Sequence, residues 1–147
     1  MTKQERLHTI INPTTGRTVI IPMDHGVSDG PIAGLASIGE TLKLVKKGGA
    51  NAVVVHKGIV KHNRAALEGL PYLIHISAST SLGVVLKKVI VAEVCECMEL
   101  GAAGVSIHIN LGNPYEPEML YDLGRIARDC EQESMPFLAM MYVRNMK

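Results

Sequence analysis

The chain has few aromatic residues and almost no net charge. Its 147 residues include no Trp, one Phe and four Tyr, and the formal net charge is +1. A nucleic-acid-binding domain needs a basic surface, and binding of single strands also needs aromatic side chains on which bases can stack. We therefore expect no nucleic acid partner.

Long hydrophobic runs are also missing. No apolar stretch reaches the roughly 20 residues of a membrane-spanning helix, and the polar residues 1–6 do not resemble a secretory signal. We expect a cytoplasmic protein that does not associate with membranes. A hydrophobic share of 47% is typical of one globular domain, so we assign residues 1–147 to a single domain and residues 1–16 to an N-terminal extension.

The cysteines and the common cofactor motifs give no sign of a disulfide, a metal or a cofactor. Cys95, Cys97 and Cys130 are an odd number of thiols without zinc-site spacing, which predicts buried free cysteines. The chain contains no GxGxxG, Walker lysine loop, HExxH or GxSxG element. We expect no cofactor and no metal.

Apolar runs that alternate with amphipathic segments predict an α/β protein with a parallel sheet. The run Ala52–Val55 is continuous rather than alternating, as in a strand buried on both faces. The predicted strands are residues 17–23, 52–55, 72–76, 104–110 and 136–142, and the predicted helices are residues 31–48, 59–67, 88–100 and 117–133.

Polar residues follow each predicted strand at its carboxyl end. These residues are Asp24 and His25, His56 and Lys57, His75 and Ser77, His108 and Asn110, and Tyr142 and Arg144. Ligands bind beyond the carboxyl ends of parallel strands, so this pattern favours an active site. A carboxylate, an amine and a phenol are the groups that imine chemistry needs. Two alternatives remain: a polar layer whose members only bond one another, and a metal site on the histidines.

Five segments in order resemble the archaeal-type class I aldolases: residues 23–31, 56–58, 77–83, 105–108 and 138–144. The resemblance implies a TIM (β/α)8 barrel, of which this chain would hold about five βα units. It also implies a lysine that forms a Schiff base with a phosphorylated keto sugar, while an aldehyde is the second substrate. Aspartate semialdehyde is the aldehyde in the heptulosonate synthase branch, which belongs to aromatic amino acid biosynthesis, and glyceraldehyde phosphate is the aldehyde in the fructose-bisphosphate aldolase branch. The resemblance is greater to the synthase branch.

The resemblance also implies site roles. Asp24 is the acid/base carboxylate and Tyr142 is the proton donor. The substrate-binding segments are Asp24, His25, Gly26, Val27 and Ser28, and Tyr142, Val143 and Arg144. His56, Lys57 and His108 are further candidates for substrate contact.

Two departures from the family pattern leave alternatives open. Val143-Arg144-Asn145 replaces the usual Pro-Arg-Gly, and the family's Schiff-base lysine is expected on the strand after Tyr142. The chain is therefore either the N-terminal part of an aldolase-like synthase or a non-catalytic remnant or binding module. A sheet that stops after its fifth strand has two unpaired edges. We expect the 147 residues alone to form homo-oligomers or aggregates and to lack aldol activity.

Overall fold

The structure is a computed structural model that describes residues 1–144, so Asn145 of the predicted binding loop lies outside the described residues. The helices are α1 (Lys3–Ile10), α2 (His25–Asp29), α3 (Ile38–Lys47), α4 (Lys57–His62), α5 (Arg64–Leu67), α6 (Val94–Glu99) and α7 (Glu116–Gln132). The strands are β1 (Ile20–Pro22), β2 (Ala52–Val55), β3 (Tyr72–His75), β4 (Ser77–Ala78), β5 (Val89–Ile90), β6 (Gly104–Leu111) and β7 (Phe137–Val143).

Five strands form one sheet in the order β1-β2-β3-β6-β7, and every neighbouring pair is parallel. The predicted parallel α/β architecture is therefore confirmed. Gly104 begins β6 close to the next strand, where an added Cβ would lie 3.0 Å from the Pro136 carbonyl oxygen. That distance is shorter than nearly all Cβ contacts in proteins, so a side chain at this position would require the backbone before β7 to shift by a few tenths of an ångström.

The central strands β2, β3 and β6 are buried on both faces of the sheet. One face packs with α3, α6 and α7 around Leu42, Ile107 and Ile126, all of which are at most 1% exposed. The other face packs Val54 and Leu73 against Ile10 at the end of α1. Because Ile10 packs on this second face, residues 1–16 contribute to the core rather than only preceding it.

Sequence patterns placed two helix starts wrongly. The predicted helix 31–48 begins only at Ile38, because Gly34 has a φ of 87° and residues 33–37 form turns. The predicted helix 88–100 is a strand at its start, and α6 begins only at Val94. The β-branched run Val89-Ile90-Val91 favours a strand, and β5 pairs antiparallel with β4.

Two smaller predictions have different outcomes. Cys97 and Cys130 are buried as predicted, and burial raises the pKa of both thiols to about 12. Cys95 is exposed, contrary to the prediction, because it lies on the outer side of α6. No helix within residues 1–144 is long and apolar enough to span a bilayer.

The edges of the sheet lie where the strand order predicts. Within residues 1–144, β1 pairs only with β2, and β7 pairs only with β6. Met141 and Val143 on β7 are 47% and 73% exposed. The predicted homo-oligomer or aggregate stays a prediction.

Candidate functional site

A group of polar side chains lies at the carboxyl ends of the central strands. We call it the inner cluster, and its members are Asp24, His56, His75, Ser77, Ser106, His108 and Asn110. The parallel register aligns the strand ends, because His75 is level with Ser106 and Asn110 is level with Tyr142. The sheet therefore delivers side chains from β1, β2, β3, β6 and β7 to one edge.

His75 is hydrogen-bonded to two other members of the inner cluster. Its Nδ1 lies 2.8 Å from Ser106 Oγ, and its Nε2 lies 3.2 Å from Ser77 Oγ. The same Ser77 hydroxyl accepts the backbone N–H of His108 at 2.9 Å, which ties β4 to β6. Burial lowers the pKa of His75 to about 4, although the charge of Asp24 opposes this shift. His75 is therefore neutral near pH 7.

Asp24 is the carboxylate of the inner cluster. It precedes α2 without capping that helix, and its side chain is 18% exposed. The Nε2 atom of His75 lies 3.7 Å from Asp24 Oδ2. That distance is longer than a hydrogen bond, so the carboxylate remains available to a ligand.

His56 completes the β2 side of the inner cluster. Its ring meets the ring of His75 edge to face, with centroids 5.4 Å apart. Burial lowers the pKa of His56, and the nearby Asp24 carboxylate only partly opposes this effect. Two neutral imidazoles thus stand beside one carboxylate, so they are ready to accept or donate hydrogen bonds without adding charge.

The β6 and β7 ends extend the site toward the sheet edge. The Nε2 atom of His108 lies 2.8 Å from Asn110 Oδ1, and Tyr142 stacks on the His108 ring with centroids 4.6 Å apart. The guanidinium of Arg144 lies 5.3 Å from the Tyr142 ring centroid. Burial also lowers the pKa of His108. A phenol that is 43% exposed is therefore held beside a neutral histidine.

A cavity of about 710 Å³ opens on the β1–β2 side of the cluster. Asp24 and His56 supply polar lining, while Val27, Leu35 and Ile59 supply apolar walls. The volume is within the usual range for small-molecule sites. The cavity is therefore large enough to hold a small molecule beside the Asp24 carboxylate.

The remaining predicted site residues occupy less central positions. His25, Gly26 and Val27 form the exposed start of α2, and Gly26 and Val27 also line the cavity. Ser28 follows them, and its carbonyl accepts the backbone N–H of Ser81. Val143 is exposed on β7.

Lys57 borders the cavity, but its ammonium is already paired. The Lys57 Nζ atom lies 2.8 Å from Glu96 Oε2, and Lys61 Nζ lies 3.3 Å from Glu96 Oε1. Because both lysines pair with the same carboxylate, we call Lys57, Lys61 and Glu96 together the outer ion pair. The hydrogen bond from Lys57 lowers the pKa of Glu96, which keeps this carboxylate charged.

Sequence patterns missed Lys88, which the β4–β5 hairpin brings to the site. Its Nζ donates to Ser79 Oγ at 2.6 Å. Burial lowers the pKa of Lys88, while the charges of Asp24 and Asp29 oppose this shift. The strand propensity of residues 89–91 was the signal that would have placed Lys88 on a hairpin rather than on a helix.

The arrangement suits proton transfer to and from a bound ligand. It combines an available carboxylate, neutral imidazoles, a phenol and a half-buried amine. Within residues 1–144, no group of three or more His, Cys, Asp or Glu side chains is arranged to hold a metal ion.

Comparison with known proteins agrees with this geometry. The sequence profile of the DeoC/LacD family aldolases matches residues 18–147. The chain is 39% identical to 2-amino-3,7-dideoxy-D-threo-hept-6-ulosonate synthase 1 of Archaeoglobus fulgidus, over 97% of this chain and 54% of the relative. It is 37% identical to the corresponding synthase of Halobacterium salinarum, over 97% of this chain and 53% of the relative.

A solved structure supports the fold. The structure of a Schiff base forming fructose-1,6-bisphosphate aldolase superposes with a TM-score of 0.84 at 26% identity, over 99% of this chain and 60% of that chain. The predicted class I aldolase type of TIM-barrel fold is thereby confirmed, and its five parallel strands are those described above. The chain spans about half the length of the curated relatives it matches. The chain belongs to the DeoC/LacD family of aldolases.

Proposed function

We propose that the protein acts as a class I aldolase-type enzyme that breaks or makes a carbon–carbon bond in a phosphorylated keto sugar. The observation that carries this proposal is the Asp24 carboxylate, which is partly buried, makes no capping bond and lies 3.7 Å from the neutral His75 beside a large cavity. A carboxylate in such a place is suited to moving protons on a bound substrate.

In this proposal Asp24 transfers the proton and Tyr142 donates a proton to the substrate oxygen. Residues 24–28 and 142–144 bind the substrate, while His56, Lys57 and His108 are further contacts. The stacking of Tyr142 on His108 supports its role, because it fixes the phenol at the end of β7. We propose that the imine-forming lysine lies on the strand that follows Tyr142, as the family resemblance implies.

The proposed substrates follow the more similar relatives. The 39% identity to a heptulosonate synthase favours a phosphorylated keto sugar and aspartate semialdehyde, in the cytoplasm and in aromatic amino acid biosynthesis. The structural similarity to a fructose-1,6-bisphosphate aldolase supports a second candidate, the reversible cleavage of a hexose bisphosphate to glyceraldehyde phosphate and a three-carbon phosphorylated keto sugar.

Reductive trapping tests the proposal. The protein, expressed from its natural reading frame, is incubated with a phosphorylated keto sugar and borohydride, and the products are analysed by mass spectrometry. We expect one lysine to carry the reduced adduct and the untrapped protein to turn over one of the two substrate pairs. A protein that binds the sugar but forms no adduct would instead support the non-catalytic binding module.

A further inference from the structure

The β4–β5 hairpin aims one lysine at the inner cluster. Ser77 pairs with Ile90 and Ala78 pairs with Val89, so the next opposed pair is Ser79 and Lys88. Alternate pairs of a hairpin lie on the same face. Ser77 points at His75 and His108, and Lys88 therefore lies on the same side of the hairpin.

Two hydrogen bonds to the backbone of its loop hold this hairpin over the site. Asn110 Nδ2 donates to the Leu86 carbonyl at 2.9 Å, and the Ser81 N–H donates to the Ser28 carbonyl at 2.9 Å. The first contact joins the loop to β6 and the second joins it to α2. The loop that leads into Lys88 is therefore attached both to β6 and to α2.

The charge of Lys88 has no close counterpart in the described part of the chain. Lys88 is half-buried, and its hydrogen-bond partner is the Ser79 hydroxyl, which in turn donates to the Val85 carbonyl. Within residues 1–144, no carboxylate lies within 4 Å of its Nζ, although Asp24 and Asp29 act on it from farther away. A half-buried ammonium with only a neutral partner is costly and suits a site that receives an anion.

Arg144 supplies a second cation on the same side. It lies over the Tyr142 ring, and within residues 1–144 it forms no ion pair. Tyr142 stacks on the His108 ring, so Arg144 lies on the outer side of this stack, and the charges of Lys88 and Arg144 both act to lower the pKa of His108. Since the neighbouring histidines are neutral, they do not add to this charge.

We propose that Lys88 and Arg144 form a subsite for the oxyanion group of the aldehyde substrate. This inference rests on the proposed function for its choice of substrate. A TIM barrel usually binds a sugar phosphate at its seventh and eighth strands. Lys88 and Arg144 lie instead beside the third, fourth and fifth strands of the sheet, so we assign them to the second substrate. The oxyanion is the phosphate of glyceraldehyde phosphate or the carboxylate of aspartate semialdehyde.

The test uses Lys88→Met and the matched control Lys87→Met in the protein expressed from its natural reading frame. Lys87 is the neighbouring lysine, but its Nζ pairs with Glu118 at 2.5 Å. We expect Lys88→Met to raise the KM for the aldehyde about 10-fold or more and to change kcat much less, because a charge-assisted contact of the bound substrate is lost. Lys87→Met leaves both constants unchanged, and Lys88→Arg restores most of the affinity.

The two aldehydes identify the source of the oxyanion. A KM effect with glyceraldehyde phosphate alone assigns the subsite to phosphate, and an effect with aspartate semialdehyde alone assigns it to carboxylate. Equal KM values for Lys88→Met and Lys87→Met with both aldehydes would overturn the proposal.

Calorimetric titration with inorganic phosphate and with succinate gives a readout that needs no catalysis. We expect at least one of these anions to bind the wild type and Lys87→Met about 10-fold more tightly than Lys88→Met. If that difference holds in a protein without aldol activity, the subsite stands and the proposed function fails. Equal binding by all three proteins, or no binding of either anion by the wild type, would overturn the subsite.

Discussion

Two lysines near the same strand ends have opposite surroundings. Lys57 follows β2 after one intervening residue, yet its ammonium bonds Glu96 in the outer ion pair. Lys88 comes from a hairpin between β3 and β6, yet its ammonium lies beside the inner cluster and bonds only a hydroxyl among the described residues. The difference teaches that a position at a strand end does not by itself direct a side chain into the site.

The cause is the local backbone. Lys57 is the first residue of α4, and this helix turns its side chain toward α6, where Glu96 is available. Lys88 is extended and opposed to Ser79, so its direction is set by the alternation of a strand. We therefore expect changes in the inner cluster to alter chemistry and changes in the outer ion pair to have small effects.

The largest effect is expected at the phenol. Replacement of Tyr142 by Phe removes only the hydroxyl and keeps the stacking on His108. Because general acids contribute about 10² to 10⁴ in rate, kcat should fall about 100-fold or more, as measured by steady-state turnover. Tyr121→Phe is the matched control, since Tyr121 is 75% exposed on α7. Loss of folding instead of turnover would show that Tyr142 is a structural residue.

A second effect concerns stability and pH. The pKa of His75 is about 4 in the folded protein, whereas an unperturbed histidine, as in the unfolded chain, has a pKa of 6.5. Between these two pH values the unfolded chain therefore binds more protons than the folded protein. Stability is therefore full above pH 6.5 and falls as the pH drops to 4, by about 3 kcal/mol from this group. Urea unfolding at several pH values measures this slope.

The matched variants for the pH experiment are His75→Asn and His8→Asn. His8 is exposed on α1, so its replacement should leave the slope as in the wild type. His75→Asn should flatten the slope, although it also lowers the overall stability. An unchanged slope in His75→Asn would show that other groups cause the acid sensitivity.

The smallest effect is expected for the outer ion pair. The side chains of Lys57 and Glu96 are 35% and 31% exposed, and solvent-exposed pairs stabilise a protein by about 1 kcal/mol or less. Lys57→Met should therefore change the free energy of unfolding by about 1 kcal/mol at most. It should also change kcat less than about threefold, because the lysine is already paired. A loss of turnover comparable to that of Tyr142→Phe would place Lys57 in the chemistry.

The sequence predicted the sheet well because its strands are buried. A short continuous apolar run such as Ala52–Val55 is typical of a strand buried in a parallel sheet. The polar residues that follow such strands meet at one edge of the sheet. Helical periodicity predicts structure less well where local strand propensity and pairing with a distant strand compete with it. The segment from Lys88 to Leu100 was predicted as one helix, but residues 89–90 instead pair with β4.

Other features depend on contacts between distant segments. The N-terminal residues looked like a polar extension, yet Ile10 reaches the sheet and packs against Val54 and Leu73. The partner of Lys57 is 39 residues away, and the bond between Ser77 and the His108 backbone spans 31 residues. Such contacts follow from the folded topology and not from spacing along the chain.

The most direct test of the central claim compares Asp24→Asn with Glu96→Gln in the protein expressed from its natural reading frame. Each change neutralises one carboxylate, the first in the inner cluster and the second in the outer ion pair. We expect Asp24→Asn to lower kcat about 100-fold or more while its unfolding midpoint stays close to the wild type, and Glu96→Gln to keep its turnover. Unchanged turnover in Asp24→Asn would contradict the assignment of proton transfer to this site.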